Sequence, residues 1–308
     1  MSRGDAILHS SAMQTQPSLV KILLLAFTII SGPLTAQVER ERDIIYMKTE
    51  GVVLTMDVFK PAKPNGIGIL KIVSGGWKSG HFKVKDHFSK PYTDHGYTVF
   101  AVVHGSQPRY KVRDIMAMMQ RAVRFVRTNA DRWAINPKKI GVTGSSAGGH
   151  LSLILATKGD DGNPDAKKDP VERVSSRVQA AAVFYPPTDY MNWAEPGDMA
   201  VGVGKQAKWQ PAFGPESETA EGREALGRAM SSIYHISKQT PPIFIIHGDA
   251  DPIVPLHQAT SFKKVADAKG ATTEIMVKEG GAHGWPNRID DEIHFVKWFD
   301  QHLLGKTN

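Results

Sequence analysis

The fold is decided by the segment Lys139-Ile140-Gly141-Val142-Thr143-Gly144-Ser145-Ser146-Ala147-Gly148-Gly149-His150, which a largely apolar run follows. A short β-rich run, a glycine-rich turn and an apolar run in this order predict a strand, a tight turn and a helix. A nucleophile at the top of such a turn has strained backbone, so the residues two before and two after it must be very small. Gly144 and Gly148 occupy these positions around Ser146, whereas Ser145 has no such pair. The segment therefore predicts a nucleophilic Ser146, with an ordinary glycine-rich connection as the alternative.

Short apolar runs bounded by Gly, Pro or Asp recur along the rest of the chain. An opening antiparallel pair is predicted over Ile44–Met47 and Val52–Val58. The other runs are typical of buried parallel strands: Ile67–Val73, Tyr97–Val103, Ile140–Thr143, Ala180–Phe184, Ile243–His247 and Thr272–Val277. Apolar side chains at helical spacing predict a crossover helix over Val112–Thr128. The chain is therefore predicted to form an α/β fold, a mostly parallel sheet with helices on both faces.

Composition supports one large core and excludes several classes of protein. Of 308 residues, 41% are hydrophobic, which is enough for one domain and excludes intrinsic disorder. Because the chain has no cysteine, a disulfide scaffold or a cysteine metal site is impossible. The net charge is +7, but its lysines and arginines form no basic arm, so we predict no nucleic-acid partner.

The N-terminal residues have the pattern of a secretory signal peptide. Lys21 precedes the apolar run Ile22–Ile30, and the small-residue stretch Leu34-Thr35-Ala36 follows. The apolar run is far shorter than the roughly 20 residues that span a bilayer, so no stable membrane anchor is predicted. We expect residues 1–36 to be a signal peptide cleaved near Ala36 and the protein to be secreted or periplasmic. An N-terminal buried helix is the alternative.

The remaining residues, 37–308, are predicted to form a single catalytic domain with one insertion. Residues 186–232 interrupt the alternation of strands and helices with prolines and aromatic side chains among polar residues. This composition indicates a small cap or lid inserted in the domain. The alternative is a surface loop that its aromatic side chains anchor to the domain.

A serine nucleophile needs a base, and the base needs an orienting carboxylate. In this topology the acid and then the histidine are expected after later strands. The predicted strand ending at His247 leads into Gly248-Asp249-Ala250-Asp251-Pro252, and the next strand leads into Gly280-Gly281-Ala282-His283-Gly284-Trp285. Asp251 and His283 therefore complete the predicted triad with Ser146.

Other residues compete for these two roles. Asp249 also follows the strand, but it is adjacent to the strand end and is expected to organise the loop. His294 lies in the last predicted helix, and His150 lies in the helix after the turn, where it is expected to pack or cap. His247 is next to the acidic segment. These residues remain weaker alternatives.

Two backbone amides are needed to stabilise an oxyanion. The amide of Ala147 is predicted at a helix N-terminus, where it can face such an oxygen. The second amide is expected from Gly75 or Gly76 after an early strand, because glycine lets the backbone approach a substrate closely. An ordinary glycine turn is the alternative.

With these motifs in order, residues 44–304 resemble a secreted bacterial α/β-hydrolase esterase. The segments GSSAGGH and GGW are most similar to carbohydrate esterases of the feruloyl and acetyl-xylan kind, which are related to hormone-sensitive-lipase-like esterases. The resemblance implies that Ser146 is the nucleophile, His283 the general base and acid, and Asp251 its orienting group. It also implies an oxyanion hole formed near Gly75, Gly76 and Ala147.

Two segments depart from the family pattern. The family's H-G-G-G-W appears as Val73-Ser74-Gly75-Gly76-Trp77, which changes the start of the oxyanion loop. The family's tyrosine-arginine segment is replaced by His104-Gly105-Ser106-Gln107-Pro108-Arg109-Tyr110. The pocket wall there is expected to differ in chemistry. Tryptophans that could line a sugar or aromatic site are Trp77 and Trp285, with Trp193 and Trp209 as further candidates.

The predicted function is hydrolysis of carboxylic esters through an acyl-enzyme, on acetyl or feruloyl groups of plant-type carbohydrates or small esters. No metal and no organic cofactor is implied, and the expected partner is a small-molecule or polysaccharide ester substrate. The alternatives are an amidase, peptidase or arylformamidase on the same fold, and an inactive homologue that binds polysaccharide.

Overall fold

The computed structural model describes residues 38–49 and 51–306, so the predicted signal peptide lies outside the described residues. Within this part of the chain, one sheet contains eight strands in the order β1-β2-β4-β3-β5-β6-β7-β8. The strands are β1 Glu39–Thr49, β2 Val52–Lys60, β3 Gly68–Val73, β4 Thr98–Val103, β5 Ile140–Ser145, β6 Ala180–Phe184, β7 Ile243–Gly248 and β8 Thr273–Lys278. β1 pairs antiparallel with β2, and β2 pairs antiparallel with β4, whereas the remaining pairs are parallel.

Helices connect these strands on both faces of the sheet. They are α1 Lys90–Thr93, α2 Val112–Thr128, α3 Ala147–Lys158, α4 Gln210–Phe213, α5 Ala220–Met230, α6 His257–Lys269 and α7 Glu292–Phe299. Short 3-10 segments include His81–Lys83, Asp86–Ser89, Gly204–Trp209 and Arg288–Asp291. The predicted α/β-hydrolase fold is confirmed. None of the described helices combines the length and the apolar character that crossing a bilayer requires.

Two buried apolar clusters hold the layers together. On one face, Ile115 of α2, Leu151 of α3 and Phe262 of α6 join a large cluster. On the other face, Tyr92 of α1 and Phe295 of α7 pack in a second cluster. Because the central parallel strands have apolar residues on both sides, they read in sequence as continuous apolar runs. Because β3, β5, β6, β7 and β8 run parallel, their carboxyl ends lie along one edge of the sheet, where the site lies.

Candidate active site

The turn between β5 and α3 has the strained geometry that the sequence predicts. Ser146 adopts φ 54° and ψ −122°, which L-residues rarely do. A Cβ on Gly144 would lie 2.5 Å from the backbone of Gly148, and a Cβ on Gly148 would lie 2.8 Å from the carbonyl oxygen of Ile72. Both positions therefore require glycine, because the strand, the turn and the helix approach too closely for a side chain.

The structure brings together the serine, histidine and aspartate that the sequence singles out. The Nε2 atom of His283 is 2.8 Å from the Oγ atom of Ser146. The Nδ1 atom of His283 is 2.7 Å from the Oδ2 atom of Asp251. Since an ionised carboxylate can only accept, Nδ1 carries the hydrogen and Nε2 is left to accept the Ser146 hydroxyl proton. The three side chains are separated by up to 137 residues, so only the fold makes this hydrogen-bonded chain.

Asp251 is held in place by backbone donors as well as by histidine. Its Oδ1 atom accepts hydrogen bonds from the amides of Ile253 and Val254 at 2.8 and 3.0 Å. Burial alone raises the pKa of the Asp251 carboxyl, but the nearby His247 ring at 3.6 Å and the hydrogen bonds from His283 and these amides outweigh it, so the pKa lies well below its usual value. The Asp251 carboxyl group is therefore ionised near neutral pH and can serve as the negative partner of His283.

The competing residues have other partners. Asp249 accepts a hydrogen bond from the Gly280 amide at 2.7 Å, which ties two loops together as the sequence suggests. His247 is fully buried and donates from Nε2 to the Val254 carbonyl at 2.8 Å. His294 lines a separate cavity with Phe244 and Trp298. None of these three side chains bonds to Ser146 in the part of the chain described.

His150 is a buried structural residue. Its Nδ1 atom accepts from the Trp77 indole at 3.3 Å, and its Nε2 atom donates to the Met230 carbonyl at 2.8 Å. Burial lowers the pKa of His150 to about 4. The ring is therefore neutral near pH 7 and links the loop after β3 to the end of α5.

This neutral histidine predicts a pH-dependent loss of stability. Between about pH 6.5 and 4 the unfolded chain binds a proton at His150 that the folded chain excludes, so stability falls as the pH falls. A His150→Gln variant has no such proton, and its stability relative to wild type should rise by up to roughly 3 kcal/mol across this range. Urea unfolding of both proteins at pH 7 and pH 4.5 measures the change. An equal difference at the two pH values would contradict it.

The two predicted amides of the early loop have different surroundings. The Gly75 amide donates to the Lys78 carbonyl at 3.0 Å, so it already has an acceptor. The Gly76 amide and the Ala147 amide, the latter at the first residue of α3, have no acceptor among the residues described. Gly76 adopts φ +56°, which favours glycine, and a Cβ there would lie 2.3 Å from the Trp209 ring. The geometry thus favours Gly76 over Gly75 as the second oxyanion donor.

The two departures from the family pattern contact each other. The Nε2 atom of His104 lies 2.8 Å from the Ser74 hydroxyl, and its Nδ1 atom lies 2.7 Å from the Gly105 carbonyl. Burial lowers the pKa of His104 to about 4, so the neutral ring donates to Gly105 and accepts from Ser74. The amide of Gln107 also donates to the Trp77 carbonyl at 3.1 Å. These bonds hold the oxyanion loop against the segment after β4.

A cavity of about 320 Å³ opens beside Ser146 and His283. Its aromatic lining comes from Trp77, Tyr185, Trp193 and Trp209. Trp285, which the sequence suggested as a substrate contact, does not line it; its ring packs against Phe184 and Tyr185, and its indole donates to Asp291 at 2.6 Å. Sequence reasoning missed Tyr185, whose ring lies 4.6 Å from that of His283 and which adopts φ 34° directly after β6. Its place at the end of a central strand, before two prolines, was the available signal.

The sheet order, the strained serine turn and the hydrogen-bonded serine, histidine and aspartate are those of an α/β hydrolase. The chain belongs to the BD-FAE family, whose model matches residues 56–265 and so more than half of the chain. This confirms the resemblance to esterases that the sequence motifs indicate.

Several curated proteins that this chain resembles are named as esterases or carboxylic ester hydrolases. It is 29% identical over 204 residues to the probable carboxylic ester hydrolase LipM of Mycobacterium tuberculosis, covering 63% of this chain and 43% of the relative. It is 24% identical over 253 residues to an acetylxylan esterase of Xylanibacter ruminicola, covering 80% of this chain and 45% of the relative. The chain thus spans about half the length of the curated relatives it matches.

Solved structures share the fold. A truncated carbohydrate esterase from gut microbiota superposes with a TM-score of 0.72 at 22% identity, covering 88% of this chain and 99% of that one. Esterase 2 of Thermogutta terrifontis phosphoramylated by tabun superposes with a TM-score of 0.65 at 24% identity, covering 85% and 93% of the two chains.

Proposed function

We propose that this chain is a serine hydrolase that cleaves carboxylic esters through an acyl-enzyme. The observation that carries the proposal is the hydrogen-bonded chain from Ser146 through His283 to Asp251, beside a cavity. Membership in the BD-FAE family and the esterase names of its relatives support the same activity. The catalytic roles of the three side chains are part of this proposal.

In the first half of the reaction, the Ser146 oxygen attacks the ester carbonyl while His283 Nε2 takes the hydroxyl proton. The carbonyl π electrons move onto oxygen, and the amides of Gly76 and Ala147 donate to that oxyanion. When the tetrahedral intermediate collapses, the bond to the alcohol oxygen breaks. His283 returns the proton to the leaving alcohol, and the acyl group stays on Ser146.

In the second half, water replaces the alcohol. His283 takes one water proton, the hydroxide oxygen attacks the acyl carbon, and the same amides hold the new oxyanion. Collapse breaks the bond to Ser146, which regains its proton from His283, and the carboxylic acid leaves. Asp251 stabilises the imidazolium that forms in each half and keeps the hydrogen on Nδ1.

A Gly76→Ala variant tests the proposed oxyanion donor. The added Cβ would meet Trp209 and would strain a left-handed backbone, so the amide must shift away from the oxyanion. We expect kcat for a short ester to fall by about 100- to 1000-fold, the usual effect of losing one such donor. Gly270→Ala is the matched control, because that residue has φ +71° but open space beyond α6. If the two variants were equally active, Gly76 would not be the donor.

The substrates we propose are acetyl or feruloyl esters of plant-type carbohydrates, or small esters. The aromatic lining of the catalytic cavity offers flat apolar surfaces on which a sugar or an aromatic acyl group can stack. The acetylxylan esterase relative supports the carbohydrate assignment.

We further propose that residues 186–232 act as a cap and that the protein is secreted or periplasmic. Trp193, Gln206, Lys208 and Trp209 come from this segment and line the catalytic cavity, which supports a cap. The apolar run after Lys21 and the small residues before Gln37 support export after cleavage near Ala36.

Matched ester and amide substrates separate esterase from amidase activity. We expect the purified protein to hydrolyse para-nitrophenyl acetate and acetylated xylo-oligosaccharides, with far slower turnover of para-nitroacetanilide and N-formylkynurenine. Faster turnover of either amide would replace the esterase assignment with amidase or arylformamidase activity. If the protein hydrolysed none of these substrates, the result would favour an inactive homologue.

A further inference from the structure

A second cavity, of about 370 Å³, adjoins the catalytic cavity. The two cavities share Ser74 at the start of the oxyanion loop and Ser145 directly before the proposed nucleophile. Its other walls come from the ends of β3, β5 and β6, from residues 83–88 and from the 3-10 turn Arg288–Asp291. The second cavity therefore borders the catalytic cavity at Ser74 and at the residue next to Ser146.

The lining of the second cavity is strongly cationic. Lys71, Lys83, Lys85 and Arg288 contribute four positive side chains, whereas Glu292 contributes the one carboxylate. Lys71 already neutralises that carboxylate, because its Nζ atom lies 2.9 and 2.6 Å from the two oxygens of Glu292 in the buried floor. The remaining cations have no matching negative charge in the lining.

Arg288 is arranged to receive a planar anion. Its guanidinium lies 4.5 Å above the Phe184 ring, which restricts the orientation of the guanidinium plane. The nearest carboxylate oxygen, on Glu292, is 3.8 Å away, too far for a hydrogen bond. The guanidinium has no hydrogen-bond acceptor within residues 38–49 and 51–306. Its parallel N–H groups match the two oxygens of a carboxylate.

Lys83 brings a second cation to the border between the cavities. Its Nζ atom donates to the Lys78 carbonyl at 3.0 Å and lies 3.4 Å from the place that a Cβ on Gly75 would occupy. The ammonium therefore packs against the oxyanion loop and keeps further N–H groups for a ligand. Because Lys83 and Arg288 belong to separate elements, their joint presence results from the fold.

We propose that the second cavity is a subsite for a carboxylate on the ester substrate. This inference rests on the proposed esterase function and narrows its substrates to esters of carboxylate-bearing molecules, such as an acidic sugar or a small dicarboxylic acid. A charge-assisted pair with Arg288 and attraction by Lys83 and Lys85 would hold the carboxylate while the ester lies at Ser146.

Matched substrate pairs test the subsite. On the alcohol side the pair is para-acetoxybenzoate and para-acetoxybenzamide, and on the acyl side it is the para-nitrophenyl monoester of glutaric acid and its glutaramic acid counterpart. A third pair, acetylated xylo-oligosaccharides with and without a glucuronic acid branch, distinguishes a sugar carboxylate from a small one. We expect kcat/KM to favour the carboxylate in at least one pair by about tenfold, and added salt to weaken this preference.

Charge-removing variants assign the preference to the cavity. Arg288→Gln and Lys83→Gln should each reduce the ratio of the two kcat/KM values several-fold, and together they should bring it near one. Lys138→Gln is the matched control, because Lys138 is exposed before β5 at the opposite edge of the sheet. A wild-type ratio near one in all three pairs, or a preference that Arg288→Gln and Lys83→Gln leave unchanged, would overturn the subsite.

Binding separates this inference from the proposed function. In Ser146→Ala protein, calorimetry should show tighter binding of the carboxylate ester than of its amide partner, whether or not wild type turns either over. Equal binding overturns the subsite while leaving hydrolysis of the neutral esters intact. Hydrolysis of neither ester by wild type would contradict the esterase proposal, and with it the role of the subsite in catalysis.

Discussion

Ser146→Ala protein should hydrolyse para-nitrophenyl acetate with a kcat about a million-fold below that of wild type. The alanine lacks the oxygen that would attack the ester and the proton that His283 would take. What remains should be the rate that the oxyanion amides and substrate binding support without a nucleophile. Stopped assays at substrate saturation measure the loss.

Circular dichroism and urea unfolding should show that Ser146→Ala retains the fold, because the substitution removes a hydroxyl group and no packing contact of the core. Ser261→Ala, on α6 and away from the site, is the control for replacing a serine hydroxyl. If Ser146→Ala were within tenfold of wild type while Ser261→Ala was unaffected, another residue would be the nucleophile.

Asp251→Asn should lower kcat by about ten-thousand-fold while preserving the shape of the side chain. An asparagine that presents its NH₂ group to His283 Nδ1 favours the tautomer with hydrogen on Nε2. In that tautomer Nε2 cannot accept the Ser146 proton, although the distance of 2.8 Å is unchanged. The imidazolium formed during attack would also lose its negative partner.

Asp249→Asn is the control for this prediction, because the sequence alone left two aspartates as candidates for the acid. Its carboxylate accepts from the Gly280 amide, and an asparagine oxygen can accept the same bond. We expect its kcat to stay within a few-fold of wild type. A larger loss in Asp249→Asn than in Asp251→Asn would reverse the assignment of the acid.

Sequence patterns located most elements because burial and periodicity leave local signals. Helix α2 has the predicted bounds, Val112–Thr128, since its apolar side chains recur at helical spacing toward the sheet. Strand β1 begins at Glu39, five residues before the predicted start at Ile44. Its first half is rich in charged residues and is held by pairing with β2, so no apolar pattern marks it.

The sequence located the three polar residues of the site but not their surroundings. Chain order and strand ends were enough to select Ser146, Asp251 and His283. The choice between Gly75 and Gly76 as oxyanion donor depends on which of the two amides donates to the Lys78 carbonyl. The loop conformation decides this. Lys83 and Arg288 are far apart in the chain, so no motif could predict the cationic cavity.

The central claim, that Ser146 is the nucleophile of an acyl-enzyme, is tested most directly by covalent trapping. A fluorophosphonate reacts with an activated serine, and trypsin would release residues Ile140–Lys158 as one peptide that contains Ser145, Ser146 and Ser152. Fragmentation mass spectrometry of that peptide should place a single adduct on Ser146 in wild type and none in Ser146→Ala protein. An adduct on any other residue, or active enzyme that remains unlabelled, would contradict the claim.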